Sequence, residues 1–89
     1  MKDANVERRY SRQLVGKTIV SKAGQKFGLV GDLIFETRTG EILYLVMKQA
    51  TPHAASMDLE KTKDGAHMVP FSSVIATGDF VVVAEEDIV

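Results

Sequence analysis

The sequence predicts an all-β fold, a small barrel of about five to six strands with one short helical turn. Three observations carry the prediction. Leu29, Leu33 and Phe35 alternate with Val30, Asp32, Ile34 and Glu36, which is the period of a strand. Thr37-Arg38-Thr39-Gly40 then makes a short connection whose glycine can take a positive φ, and Glu41 to Lys48 returns as aliphatic and aromatic residues suited to a second strand. Short apolar segments around Val69 and Val81 follow at close spacing, with no long helical pattern between them.

In chain order, residues 1–13 set Lys2, Arg8, Arg9 and Arg12 against Asp3 and Glu7, with Val6, Tyr10 and Leu14 at i, i+4 and i+8. That spacing permits a short amphipathic helix, but one with so few turns is marginal unless docked, so a solvated arm is expected. Residues 17–21 form the first strand and turn at Gly24. The hairpin from Gly28 to Lys48 supplies the second and third. Between Gln49 and Met68 the apolar density falls, and Pro52 among small residues marks a long excursion. Within it, Asp64-Gly65 offers a compact turn that would let residues 58–61 and 66–69 form a ragged hairpin. Pro70 pre-sets a single helical turn over residues 70–74, because it needs no amide donor at a first helical position. Ile75 to Thr77 leads out, Gly78-Asp79 turns, and residues 80–84 form the last strand. The expected organisation is an arm over 1–13, a barrel over 14–85 and a tail over 86–89.

Alternation assigns faces. Asp32, Glu36 and Lys48 point outward, which places Leu29, Leu33, Phe35, Leu43, Leu45 and Met47 inside, and the larger set Phe80, Val82 and Ala84 fills the core from the last strand. Val30, Ile34, Ile42, Tyr44, Val46, Val81 and Val83 then share the opposite face. Monomers rarely leave such an apolar patch bare. Either the excursion or the arm covers it, or a second copy does, and the dimer is favoured because it enlarges the core of a short chain.

At 89 residues the chain has room for one domain, and 45% hydrophobic with 26% charged residues is a globular composition. No window approaches the run of about 18 apolar residues needed to span a bilayer. No signal peptide or lipidation motif is readable at the N-terminus, so a soluble, cytoplasmic protein without direct membrane insertion is expected. A net charge of −1 argues against the positive field of nucleic-acid binders. The absence of cysteine removes disulfides, thiolate metal sites and thiol nucleophiles together.

Motifs that carry chemistry elsewhere have structural explanations here. Gly16-Lys17-Thr18 resembles the end of a phosphate-binding loop, but Ser11 stands where the earlier glycine is required and a strand follows. The glycines between Gly24 and Gly31 lack dinucleotide-binding spacing and make turns instead. His53 and His67 have no carboxylate pattern around them that would complete a metal site. Ser72 and Ser73 lack a nucleophile elbow and read as local backbone partners. The acidic run Glu85-Glu86-Asp87 reads as solvated surface. No catalytic residue, cofactor or metal is therefore expected.

The order of these signals, from Leu14-Val15-Gly16-Lys17 through the Gly28 to Lys48 hairpin, Val69-Pro70-Phe71 and Gly78-Asp79-Phe80-Val81-Val82-Val83, resembles the PRC-barrel family. These small all-β domains are related to the cytoplasmic domain of the photosynthetic reaction-centre H subunit. The likeness lapses between Gln49 and Met68, and it lies in apolar, Gly and Pro positions that set a backbone. Short archaeal single-domain members look most similar. That resemblance implies a non-enzymatic, homodimeric adaptor recruited to the division site, where it would contact SepF, the membrane anchor of FtsZ. It also leaves open an RNA- or ribosome-associated assembly factor and a small-ligand-binding barrel.

Overall fold

The computed structural model describes residues 13–88. Six strands, β1 (Thr18–Ser21), β2 (Lys26–Phe35), β3 (Ile42–Lys48), β4 (Met68–Pro70), β5 (Val74–Thr77) and β6 (Phe80–Val83), form one sheet in the order β4-β3-β2-β1-β6-β5. All neighbours are antiparallel except β1 and β6, which run parallel. The ladder is open, with β4 at one edge and β5 at the other. Only the 3-10 turn Phe71–Ser73 separates these two strands in sequence, so the chain itself bridges the gap between the edges. Ser73 is buried at this corner, where its hydroxyl donates to the Pro70 carbonyl at 2.7 Å and its own carbonyl accepts from the Ala84 amide at 2.8 Å.

The predicted hairpins form. Gly40 takes φ of 76° where β2 turns into β3, and Glu36 and Glu41 close that turn with a 2.8 Å backbone bond. The ragged hairpin around Asp64-Gly65 is present as a bridge between Lys61 and His67, extended by a bond from the Met68 amide to the Glu60 carbonyl at 2.8 Å. Residues 75–77, expected only to lead out, belong to β5. The excursion also contains a short helix, α1 (Pro52–Ser56), with Pro52 in its first turn and the Thr51 hydroxyl accepting from the Ala54 amide at 3.3 Å. Thr51 ties this helix to β2 by donating to the Lys26 carbonyl at 2.6 Å. The arm expected over 1–13 lies, but for Gln13, outside the described residues.

Simple alternation does not survive along β2 and β3. Opposite Val46 and Met47, the pairing of β2 steps from Val30 to Asp32, leaving Gly31 as an extra residue; opposite Ile34 and Phe35, β3 steps from Tyr44 to Ile42, leaving Leu43 extra. Each bulge reverses the parity of the strand that carries it, because side chains alternate with a period of two. The inner face therefore carries the pairs Val30–Met47, Leu33–Leu45 and Phe35–Ile42. Leu33 and Phe35 are inside as expected, Val30 displaces Leu29, and Ile42 displaces Leu43, which is 43% exposed.

The last strand is inverted relative to expectation. Ile19 and Ser21 are buried, and they pair with Val81 and Val83, so those two valines enter the core at 0% exposure. Phe80 and Val82 face out beside Thr18 and Val20. Size was the wrong guide, because β6 lies beside β1 and must share its inner face. Ala84, just past the strand, is buried as expected.

Gly28 sets how closely the layers approach. A Cβ there would stand 3.0 Å from the Lys48 carbonyl oxygen and 3.2 Å from the Ala50 Cα, both of them backbone atoms that have little freedom to give. Gly28→Ala should thus lower stability by about 1–3 kcal/mol through overpacking, read as a lower denaturation midpoint.

Leu45→Ala should cost about 2–5 kcal/mol, and Asp32→Ala about 0.5 kcal/mol or less. Equal midpoints for these two variants would contradict the assigned faces.

Candidate functional site

With the inner face fixed, the outer face follows from the same register. Asp32, Ile34, Tyr44, Val46, Met68 and Pro70 lie on it over β2, β3 and β4, and Thr18, Val20, Phe80, Val82 and Ala76 over β1, β6 and β5. The apolar face expected from alternation is thereby divided. Val30, Ile42, Val81 and Val83 are core residues and present no surface; Ile34, Tyr44 and Val46 remain on the outer side, half-buried.

The two halves of this face differ in cover. On the β3–β4 side the excursion closes in: the Tyr44 hydroxyl donates to a Glu60 carboxylate oxygen at 3.1 Å, and Met68 is only 8% exposed although its register points it outward. On the β6–β5 side Phe80 is 53% exposed and Ile75 52% exposed. Ile75 is the extra residue of a bulge, since β5 steps from Val74 to Ala76 while β6 steps only from Val83 to Val82. Sequence reasoning placed Phe80 in the core and read Ile75 as connection. The strand-forming character of Val74 to Thr77 was the available signal for the second, and the parallel pairing with β1, which corrects the first, is not visible in local sequence.

Polar groups cluster elsewhere. His53 on α1 meets a Glu85 carboxylate oxygen at 2.6 Å and stands edge-on to Phe27, with ring centroids 5.5 Å apart. Lys22 meets Glu86 at 2.6 Å, and Ile88 packs against the core. Together these hold the end of the described chain, a 3-10 turn over Glu85–Asp87, onto the barrel. The acidic run is therefore partly engaged rather than wholly solvated. Hydrogen bonding to Glu86, reinforced by its charge, raises the Lys22 pKa, and the bond from Lys22 lowers that of Glu86. Both groups are exposed, so screening keeps the pair weak. A cleft of about 210 Å³ lies between Gln13, Leu14, Lys17, Thr77 and Gly78, and the Lys17 ammonium is spent on the Gly78 carbonyl there. His53 is joined by one carboxylate, that of Glu85, but among the described residues no group of three or more His, Cys, Asp or Glu is placed to hold a metal. Nor is any described helix long and apolar enough to cross a membrane.

The family model of the PRC-barrel domain matches residues 7–87, nearly the whole chain. The chain belongs to the PRC-barrel family. Nothing among curated proteins matches it. The match spans the excursion where the sequence likeness lapsed, and α1 and the hairpin that follows it are part of the same PRC-barrel domain.

The Glu60 bond, its charge and burial all raise the Tyr44 pKa above the ordinary 10.0. A raised folded-state value stabilises the fold below 10.0, and the contribution is lost as pH rises through the folded value. Stability should accordingly fall more steeply between 10.0 and the raised folded value in the parent than in Tyr44→Phe. Equal slopes in parallel melts would mean that the phenol does not hold Glu60.

Proposed function

We propose that this PRC-barrel chain is a non-enzymatic, homodimeric adaptor that works by protein–protein contact. The observation that carries the reading is the exposure of Phe80 and Ile75 on a rigid sheet, at 53% and 52%. Large apolar side chains held on regular strands keep their geometry when a partner docks, and the entropy of ordering them has already been spent in folding. Aromatic residues so placed are the usual anchors of interfaces. Family membership supports the same reading, because the positions shared with the family build a scaffold.

The proposed setting is the cytoplasm of an archaeon, where the adaptor is recruited to the division site and contacts SepF, linking it to FtsZ. Support for this partner is the likeness to short archaeal PRC-barrel proteins, and the barrel's own contribution is a rigid platform with an apolar outer face. Affinity purification of the tagged full chain from its host, followed by mass spectrometry, tests it. SepF or other division proteins should be enriched over an untagged control, and Phe80→Glu should lose them. Ribosomal proteins recovered in their place would replace this reading with an assembly role.

A further inference from the structure

We infer that the outer face of β1, β2 and β6 takes an acidic, amphipathic segment of a protein partner, which sets apolar side chains on Phe80 and Val82 and carboxylates on Lys26 and Lys48. The inference rests on the protein-contact reading above and names the chemistry of the partner which that reading requires.

Register lays the contacts out. Phe80, Thr18, Leu29 and Lys48 form one row across β6, β1, β2 and β3, and Val82, Val20 and Lys26 form the next. Ile19 and Val30 turn inward, so both rows stand on the outer face. Neighbouring strands lie about 4.8 Å apart, which puts Lys26 about 10 Å from Val82 along its row. Each row therefore runs from an apolar end on β6 to a cationic end on β2 or β3.

Charge then selects the partner, independently of the apolar side chains. Lys26 and Lys48 are exposed, and among the described residues neither ammonium has a carboxylate or hydrogen-bond partner. Lys17, which precedes Thr18, meets the neutral carbonyl of Gly78 and keeps its charge. Two carboxylates border the rows: Asp79 adjoins Phe80, and Asp32, opposite Val46, has an oxygen accepting from the Leu33 amide. Among the described residues neither forms an ion pair with these lysines. The rows thus present more positive than negative charge, on a chain whose net charge is −1. Partner carboxylates would find opposite charge here, and a basic segment its like.

The layout also favours a peptide segment over an anionic membrane surface. Asp79 sits beside Phe80, so burying that ring among anionic headgroups would carry a carboxylate of the same sign with it. A helical segment with carboxylates about two turns, roughly 11 Å, from its apolar anchor spans the row from Val82 to Lys26 and leaves Asp79 at its margin.

A displayed peptide library selected on the full chain tests this. Enriched peptides should pair an aromatic or large aliphatic residue with an excess of Asp and Glu, and Phe80→Glu should abolish their enrichment. For one such peptide, Lys26→Glu combined with Lys48→Glu should raise the dissociation constant about tenfold or more, and added salt should weaken binding to the parent. Selection on that double variant should instead enrich peptides bearing Lys or Arg. All three positions are exposed, so the variants should keep the parent's β-type circular dichroism spectrum and cooperative melt. Peptides that need Phe80 but carry no acidic excess, or that bind the double variant equally, would overturn the inferred chemistry while the protein-contact reading stands. Binding of the chain to vesicles of anionic phospholipid, lost on the same substitutions, would replace the peptide with a membrane. No enrichment on the parent over Phe80→Glu would overturn that reading and this inference together.

Discussion

One extra residue on a strand decides which side chains reach the interior of this barrel. The extra Gly31 lets Val30 and Leu33, three positions apart, share the inner face of β2, and the extra Leu43 brings Ile42 onto the same side as Leu45. A strand that kept strict alternation would send one of each pair into solvent. Bulges also increase local twist, which a short sheet needs in order to curl around so small a core. A further extra residue, Phe27, occurs where β2 meets β1, and its ring is fully buried against His53. That bulge aims the largest fully buried side chain into the core.

Curling brings backbone close to backbone, and the small residues stand where it does. Gly28 lies beneath the segment leaving β3, where a Cβ would crowd the backbone of Lys48 and Ala50. Because that segment can descend so far, Thr51 reaches the Lys26 carbonyl and the Thr51 amide reaches the Phe27 carbonyl at 2.8 Å. Ala54 and Leu59 then join the core from outside the sheet. Ser73 does the equivalent work at the other side, satisfying a buried corner between the two edges. The excursion contributes part of the hydrophobic interior that six short strands cannot close alone.

Much of this was legible in the residues. The glycine turns, the β2–β3 hairpin and the hairpin at Asp64-Gly65 depend on local chemistry and formed where that chemistry put them, whereas the helical turn expected over 70–74 is a 3-10 turn over Phe71–Ser73 with Pro70 extended at the end of β4 and not in the first helical position. What alternation could not reveal was a property of pairs. A bulge is defined by the partner strand, so nothing in residues 29–35 alone says that Gly31 goes uncounted. The parallel contact of β6 with β1, distant in sequence, is what turns Val81 and Val83 inward and Phe80 outward. The apolar face read from sequence therefore mixed core with surface. Ile34, Tyr44 and Val46 keep their side, but the most exposed apolar residues of the sheet's outer face lie on β5 and β6.

An interaction surface of this kind follows from the inner face, since residues excluded from the core by register are those available to a partner. Assignment of faces is hence the claim on which both fold and function rest. The chain has no cysteine, so single cysteines report position without interference. The most direct measurement is the rate of native-state thiol labelling at two adjacent pairs, Ile42→Cys with Leu43→Cys and Phe80→Cys with Val81→Cys, read under conditions where each variant is folded. Positions 43 and 80 should label rapidly and positions 42 and 81 only through unfolding. Protection at 43 and 80 with rapid labelling at 42 and 81 would contradict the bulged register and the surface built on it.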